Sequence, residues 1–233
     1  MDTFDAETFE MKLTLADAAT DAYIKGDNRS FTIKEVARAA DIDPAEVFNY
    51  FPNKDTILQF YYAGLIVQYE MMVDEIDDFD SYTLSEKFSN FAYASFDMLD
   101  EKQEFVAATF EDLILHSYGK TDFEKEIERL IGDFLGDDPR IGMGSSLVLN
   151  SYFYTFLRWQ YLELVRFWLN DESEDKELTM ELVDKLTNFL QELMYNAIVD
   201  KGFDLGKFLI ANRRKFISNI PIIKQICSKI EIR

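Results

Sequence analysis

The chain has 233 residues, with 44 Asp and Glu against 24 Lys and Arg and a formal net charge of −20, which excludes a generic basic nucleic-acid coat protein. Its 48% hydrophobic and 15% aromatic content is ample for a sizeable core in one large or two small domains, and argues against disorder along most of the chain. The single cysteine, Cys227, makes no internal disulfide, and the acidic N-terminal stretch lacks the basic and apolar regions of a signal peptide, so a cytoplasmic setting is expected.

The composition also limits the chemistry. Runs such as Tyr61–Tyr69 and Leu147–Leu157 fall short of the roughly 18–20 apolar residues that span a bilayer. The sole histidine, His116, excludes multi-histidine metal sites and reads as a helix-end residue. Gly142-Met143-Gly144-Ser145 lacks the lysine of a phosphate loop and reads as a helix start. The acidic run Asp74–Asp80 lacks the glycine and terminal glutamate of a calcium loop and reads as a solvated helix end. No catalytic residue, metal or cofactor is expected.

Apolar residues recur at three and four along almost every segment and nowhere alternate for long, so the chain reads all-α. A first helix is predicted from about Thr8 to Lys25, with Phe9, Leu13, Ala16, Tyr23 and Ile24 on one side and Gly26 as its stop. The second opens at Thr32, with Glu35 three residues on completing a capping box, and ends near Ala40. Asp41-Ile42-Asp43-Pro44 supplies a turn, an N-cap aspartate and a first-position proline for a third helix, about Pro44–Tyr50. Phe51-Pro52-Asn53 breaks it, and Asn53 or Lys54 opens a long fourth helix carrying Ile57, Leu58, Tyr61, Leu65 and Val67. Beyond Asp80, longer aromatic-rich helices are predicted at about 84–99, 102–118, 122–135, 141–170 and 175–201, with breaks containing Asp, Gly and Pro. The last segment, 202–233, contains one helix before Pro221 and one after it.

Residues 31–58, FTIKEVARAADIDPAEVFNYFPNKDTIL, present a helix, a tight turn, a short helix and the start of a long one. This stretch resembles the TetR family of bacterial transcriptional regulators through Thr32, Val36-Ala37, Ala40, Ile42, Val47, Phe48, Tyr50-Phe51, Lys54 and Ile57. Beyond Asp80 the resemblance extends only to helix content and length. It implies a TetR-like all-α fold: a three-helix DNA-binding head over residues 1–53, a helical effector-binding and dimerisation bundle over 54–201, and a basic extension over 202–233.

In a helix-turn-helix the second short helix enters a major groove about 12 Å wide, while flanking residues hold phosphates. Val36, Ala37 and Ala40 pack inward with Ile42 and Val47, which leaves Lys34 and Arg38, spaced i and i+4, on an outer face toward a phosphate strand. The resemblance implies that Thr32, Tyr50 and Lys54 hold backbone phosphates and that Ala45, Glu46 and Asn49 lie on the groove-facing helix. Lys54 at a positive helix N-terminus is explained by an anionic partner; the alternative is a solvated lysine.

The pattern departs from the family in charge. Phe48 stands where the family has a tyrosine, and Asp43, Ala45 and Glu46 stand where it has a hydroxyl and small residues; Glu46 has the alternative of accepting from a cytosine amino group. Residues 1–60 hold six bases, Lys12, Lys25, Arg29, Lys34, Arg38 and Lys54, against twelve acids, a net of −6. Such a head binds DNA weakly unless its bases converge on one face.

Residues 201–233 are the opposite, with eight bases against Asp204 and Glu231, a net of +6 that leaves −26 on the rest. Ile222, Ile223, Ile226, Cys227 and Ile230 form one stripe of a helix and Lys224, Gln225, Ser228 and Lys229 the other. One reading is contact of 203–233 with a membrane surface or a partner; the other, preferred, lays the apolar stripe and the lysines on the acidic body.

A small apolar effector is expected among the aromatic helices, against Phe91, Phe96, Phe110, Tyr152, Phe156 and Trp159, with Phe88 and Phe105 nearby; plain bundle core is the competing reading. Arg158 and Arg166 are anchors for an anionic group or partners of the plentiful acids. The resemblance implies a homodimer through the helices at about 141–170 and 175–201, whose apolar content, including Trp159, Phe167 and Trp168, exceeds what one thin bundle buries. Two functions stand. The preferred one is a one-component repressor of a double-stranded DNA operator, released by its effector. The alternative is a TetR-fold protein that has lost DNA binding and holds a lipid or isoprenoid near a membrane.

Overall fold

The computed structural model describes residues 6–26, 30–136, 138–141 and 149–196, and every regular element among them is helical. Helix α1 spans Ala6–Lys25, α2 Ile33–Ala39, α3 Val47–Tyr50 and α4 Lys54–Val73. Polar side chains set these limits. The Thr32 hydroxyl accepts from the Glu35 amide at 3.2 Å while the Glu35 carboxylate accepts from the Thr32 amide at 2.6 Å, closing the capping box of α2. Asn53 and Thr56 do the same for α4, with the Thr56 amide donating to Asn53 Oδ1 at 3.0 Å. Helix α2 ends where Asp41 turns left-handed (φ 54°) and the Ile42 amide reaches back to the Ala37 carbonyl at 3.0 Å.

The third helix is shorter than its sequence suggests, opening at Val47 instead of Pro44. Asp43 does accept from the Ala45 amide, at 2.8 Å. The next amides, however, bond three residues back, Glu46 to Asp43 and Asn49 to Glu46, so the approach to α3 is a tighter 3₁₀-like turn.

The body contains α5 (Leu84–Asp100), α6 (Gln103–Phe110), α7 (Asp122–Gly136), α8 (Ser151–Asn170) and α9 (Glu177–Tyr195). The helix expected over 102–118 stops being α at Phe110 and continues as a π turn, Glu111–Leu115, closed by the His116 amide on the Glu111 carbonyl at 2.8 Å. The helix expected from Ile141 begins at Ser151, because Asn150 is extended and its side chain accepts from the Tyr152 and Phe153 amides. The last helix opens with a 3₁₀ turn, Glu174–Lys176, in which Asp175 and Lys176 have positive φ. That helix, expected to run to about Lys201, ends at Tyr195, because Asn196 is extended; the expected helix start at Gly142–Ser145 and the basic segment 202–233 with Cys227 lie outside the described residues. No helix among the described residues is long and apolar enough to cross a membrane.

Helix α4 packs on α1 in the head and on α5 and α7 in the body. Its tyrosines are bound at their tips: Tyr62 Oη meets Thr109 Oγ1 at 2.7 Å, Tyr61 donates to the Met98 carbonyl at 3.2 Å and Tyr69 to Asn90 Oδ1 at 3.0 Å. Helix α5 pairs with α9 through Ser85, Ser89 and Thr187 hydroxyls, and Phe96 stacks on Trp168 of α8 at 5.6 Å.

Between α8 and α9, Asp171 accepts from the hydroxyls and amides of both Ser173 and Thr179, at 2.6–2.9 Å. These hydrogen bonds, led by the Ser173 and Thr179 hydroxyls, hold its carboxyl well below the ordinary value of 3.8. A carboxyl depressed on folding contributes stability above its unfolded value and loses it as pH falls toward the folded one. Asp171→Asn is therefore expected to lower the melting temperature by a few degrees at pH 6, with the gap to the parent narrowing between pH 4 and pH 2; thermal scans across that range check it, and a pH-independent gap contradicts it.

Candidate nucleic-acid interface and effector groove

The fold brings the start of α2 against the start of α4. Lys54 Nζ donates to the Phe31 carbonyl, next to Thr32, and lies 5.1 Å from the Phe31 ring. Thr32, Lys34, Arg38 and Lys54 are exposed, as are Ala45, Glu46 and Asn49 on the turn and helix of α3, while Tyr50 is half-buried against the head core. Beneath them Phe31, Val36, Ala37, Val47 and Phe51 are buried. The Thr32 hydroxyl and amide are both taken by Glu35, whose carboxyl those bonds, the amide's first, hold below its ordinary value, so an ionised carboxylate stands where a phosphate is expected. Phe48 is 56% exposed on α3, an apolar ring in place of a phosphate-binding hydroxyl.

The bases of head and body are used differently. In the body Lys102, Lys120, Lys125, Arg129, Arg140, Arg158, Arg166 and Lys185 form ion pairs, whereas Lys87 and Lys176 form none among the described residues and lie over the Phe79 and Trp168 rings at 5.6 and 5.7 Å. In the head Lys25 pairs with Asp21, but Lys12, Lys34, Arg38 and Lys54 form no ion pair among the described residues. Lys12 instead lies over the Phe51 and Phe60 rings at 5.9 and 5.6 Å.

An apolar groove of about 180 Å³ runs between α5, α7, α8 and α9. Phe91 and Phe156 line it, together with Phe88, Phe153, Leu186 and Phe189. The other residues expected at an effector lie elsewhere. Phe96 is buried on Trp168, Phe110 is buried beside Tyr62 at 5.9 Å, and Tyr152 is 86% exposed. Arg158 and Trp159 line a separate cavity of about 310 Å³, with the guanidinium 5.4 Å from the indole. Leu186 and Phe189 belong to α9, where their helical spacing with Leu182, Leu190 and Leu193 marks an apolar face in the sequence.

Both arginines are engaged by carboxylates. Arg158, 8% exposed at its side chain, meets Glu124 at 2.5 Å and Glu128 at 3.3 Å; Arg166, half-exposed, meets Glu111 at 3.1 Å. Glu124 serves twice, since its other oxygen caps α7 by accepting from the Thr121 amide at 2.7 Å. Among the described residues no group of three His, Cys, Asp or Glu side chains is placed to hold a metal ion. Along α8 and α9, Tyr152, Phe156, Trp159, Phe167, Leu178, Leu186 and Phe189 stay exposed.

The sequence profile of the tetracyclin repressor-like C-terminal domain matches residues 87–209, more than half of the chain. No curated protein sequence matches. Among solved structures, a TetR transcriptional regulator from Rhodococcus sp. RHA1 superposes with a TM-score of 0.51 at 14% identity, over 76% of this chain and 96% of that one. A TetR-family regulator from Streptomyces coelicolor gives a TM-score of 0.48 at 18% identity, over 96% and 97% of the two chains. At such identities the likeness is one of fold.

The buried pair yields a stability test. Glu124→Gln keeps the cap on α7 but leaves the Arg158 charge facing only Glu128, which is expected to cost about 3 kcal/mol, whereas Arg166→Ala, at a half-exposed pair, costs at most about 1 kcal/mol. Urea unfolding of the two variants checks the contrast.

Proposed function

The chain belongs to the TetR family of transcriptional regulators, and from that premise we propose that it is a one-component repressor whose grip on an operator is released by a small apolar effector. Residues 1–53 act as the reading head and 54–201 as the sensing and dimerising body. The observation that carries this reading is the difference in charge use: the exposed bases Lys34, Arg38 and Lys54 are without ion pairs among the described residues, while most body bases, Lys102 and Arg158 among them, are paired with carboxylates. A head of net −6 thus offers phosphates a local track of cations along the outer side of α2 and the start of α4. Lys34, Arg38 and Lys54 hold the strand, Tyr50 supports it, and Thr32 contributes only if Glu35 yields. The exposed side chains of Ala45, Glu46 and Asn49 face the bases, with Phe48 suited to a thymine methyl.

The effector binds in the groove lined by Phe91 and Phe156, where its chemistry is apolar because the walls are. The dimer forms through the exposed faces of α8 and α9. Phe156, Leu186 and Phe189 belong to both surfaces, so a ligand wedged beside them alters the packing of the two copies and with it the spacing of the heads.

Titration of genomic duplex at rising salt tests the DNA part. Lys54→Ala and Arg38→Ala are expected to weaken binding across sequences and each to reduce the salt slope by about 1. Glu35→Gln, which preserves the cap and removes a carboxylate from the phosphate side, is expected to strengthen binding several-fold; unchanged affinity in all three variants contradicts the interface. Replacing Phe156 and Phe189 together by Asp is expected to give monomers by light scattering, because two charges cannot be buried unpaired in an apolar interface.

A further inference from the structure

A cleft of about 940 Å³ lies between head and body, and nothing proposed above uses it. Its floor is built from Leu13 and Ala18 of α1, Leu65 of α4, and Ala94 and Met98 of α5, with Met72 exposed at its edge. Its rim holds five carboxylates, Asp17, Asp21, Glu35, Asp97 and Glu101, against Lys25 and Lys102. Lys102 bridges Asp17 and Asp21, Lys25 joins Asp21, and Glu35 is held by Thr32. Asp97 and Glu101, both exposed, form no ion pair among the described residues. An apolar floor beside uncompensated acid is the complement of an amphipathic basic helix.

The chain carries such a sequence. After Pro221, Ile222, Ile223, Ile226 and Ile230 recur on one side, with Lys224 opposite them and Lys229 at their edge, in a segment of net +6 over residues 201–233. Residues 210–233 fall beyond the stretch matched by the family profile. The reach is sufficient. Helix α9 ends at Tyr195, whose hydroxyl accepts from the Leu84 amide at 2.9 Å, at the first turn of α5. At about 1.5 Å per residue, Met98 stands roughly 21 Å farther along α5, a span that residues 197–221 cover easily.

We propose that residues 222–233 dock in this cleft of their own chain, with the isoleucine stripe on the floor and the basic residues against Asp97 and Glu101. The docked segment ties α1 and α2 of the head to α5 of the body. This proposal is independent of DNA binding.

Cys227, the only cysteine, accepts a nitroxide in the full-length protein without other change, and methyl-labelled methionines report its position. Met72 and Met98 line the cleft, whereas Met194 is buried at the far end of α9. The expected result is strong broadening of the Met72 and Met98 signals with most of the Met194 intensity retained. Asp97→Lys with Glu101→Lys, both at exposed unpaired positions, and separately Ile226→Asp, are expected to restore Met72 and Met98. Unbroadened cleft methionines, or broadening equal to that of Met194, overturn the proposal. So does broadening only in mixtures of spin-labelled and methyl-labelled chains, which places the partner copy's tail in the cleft. Free cleft methionines together with binding of phosphatidylglycerol vesicles that is lost in Ile226→Asp overturn it in favour of a lipid surface.

Discussion

Five consecutive residues of α4, Tyr62 to Ile66, are buried, more than a full helical turn, so that helix has no side left for water. Gly64 within this run lets α1 approach closely, since a Cβ there would stand 2.9 Å from Leu13 Cδ2. A helix enclosed in this way must be surrounded by the other elements, and α1, α5 and α7 are arranged to do so. The same helix starts in the head, where Asn53 caps it and Lys54 projects, and ends in the body at Val73. The polar tips on it are satisfied by three elements, Tyr62 by Thr109 of α6, Tyr61 and Tyr69 by Met98 and Asn90 of α5, and Gln59 by the Leu113 carbonyl of the π turn. The helix that carries Lys54 is thus held by packing against α5 and α6 in the body.

Electrostatics follows the same division. With a net charge of −20 the protein as a whole repels DNA, and only a local excess of cations overcomes that. The abundant acids of the body pair with most of its bases, most deeply at Arg158, where the pair with Glu124 is shielded from solvent. The exposed bases on α2 and at the start of α4 lack ion-pair partners among the described residues, so the interface we propose rests less on added positive charge than on charge left without such a partner. Glu35 tempers it. The carboxylate that fixes the start of α2 also occupies the hydroxyl of Thr32, so stability of the head and affinity for phosphate draw on one side chain.

The parts of this arrangement written in short-range chemistry were legible in the sequence. Thr32 with Glu35, Asn53 before Lys54, and the turn at Asp41 each name their own helix boundary, and the buried set Val36, Ala37 and Val47 follows from spacing. The parts decided by packing or competition were not. Apolar spacing runs unbroken through Leu147–Leu157, yet the Asn150 side chain starts the helix at Ser151. Nothing in Glu111–Leu115 marks a π turn, because the extra residue is absorbed through tertiary contact. Phe91 and Phe110 look alike in sequence, and only the three-dimensional packing puts one at the groove and the other beside Tyr62. Arg158 showed its charge but not its partners, since Glu124 is thirty-four residues away in the chain.

Whether an unquenched cation track on an acidic protein suffices for an operator is measured most directly by selecting genomic fragments with the purified full-length protein at low salt. The account predicts enrichment of fragments that share an inverted repeat, with half-sites spaced by whole turns of the double helix, about 34–36 Å or a multiple, as two heads related by a two-fold axis require. No enrichment above unselected DNA, or enriched fragments without a repeat, would contradict it.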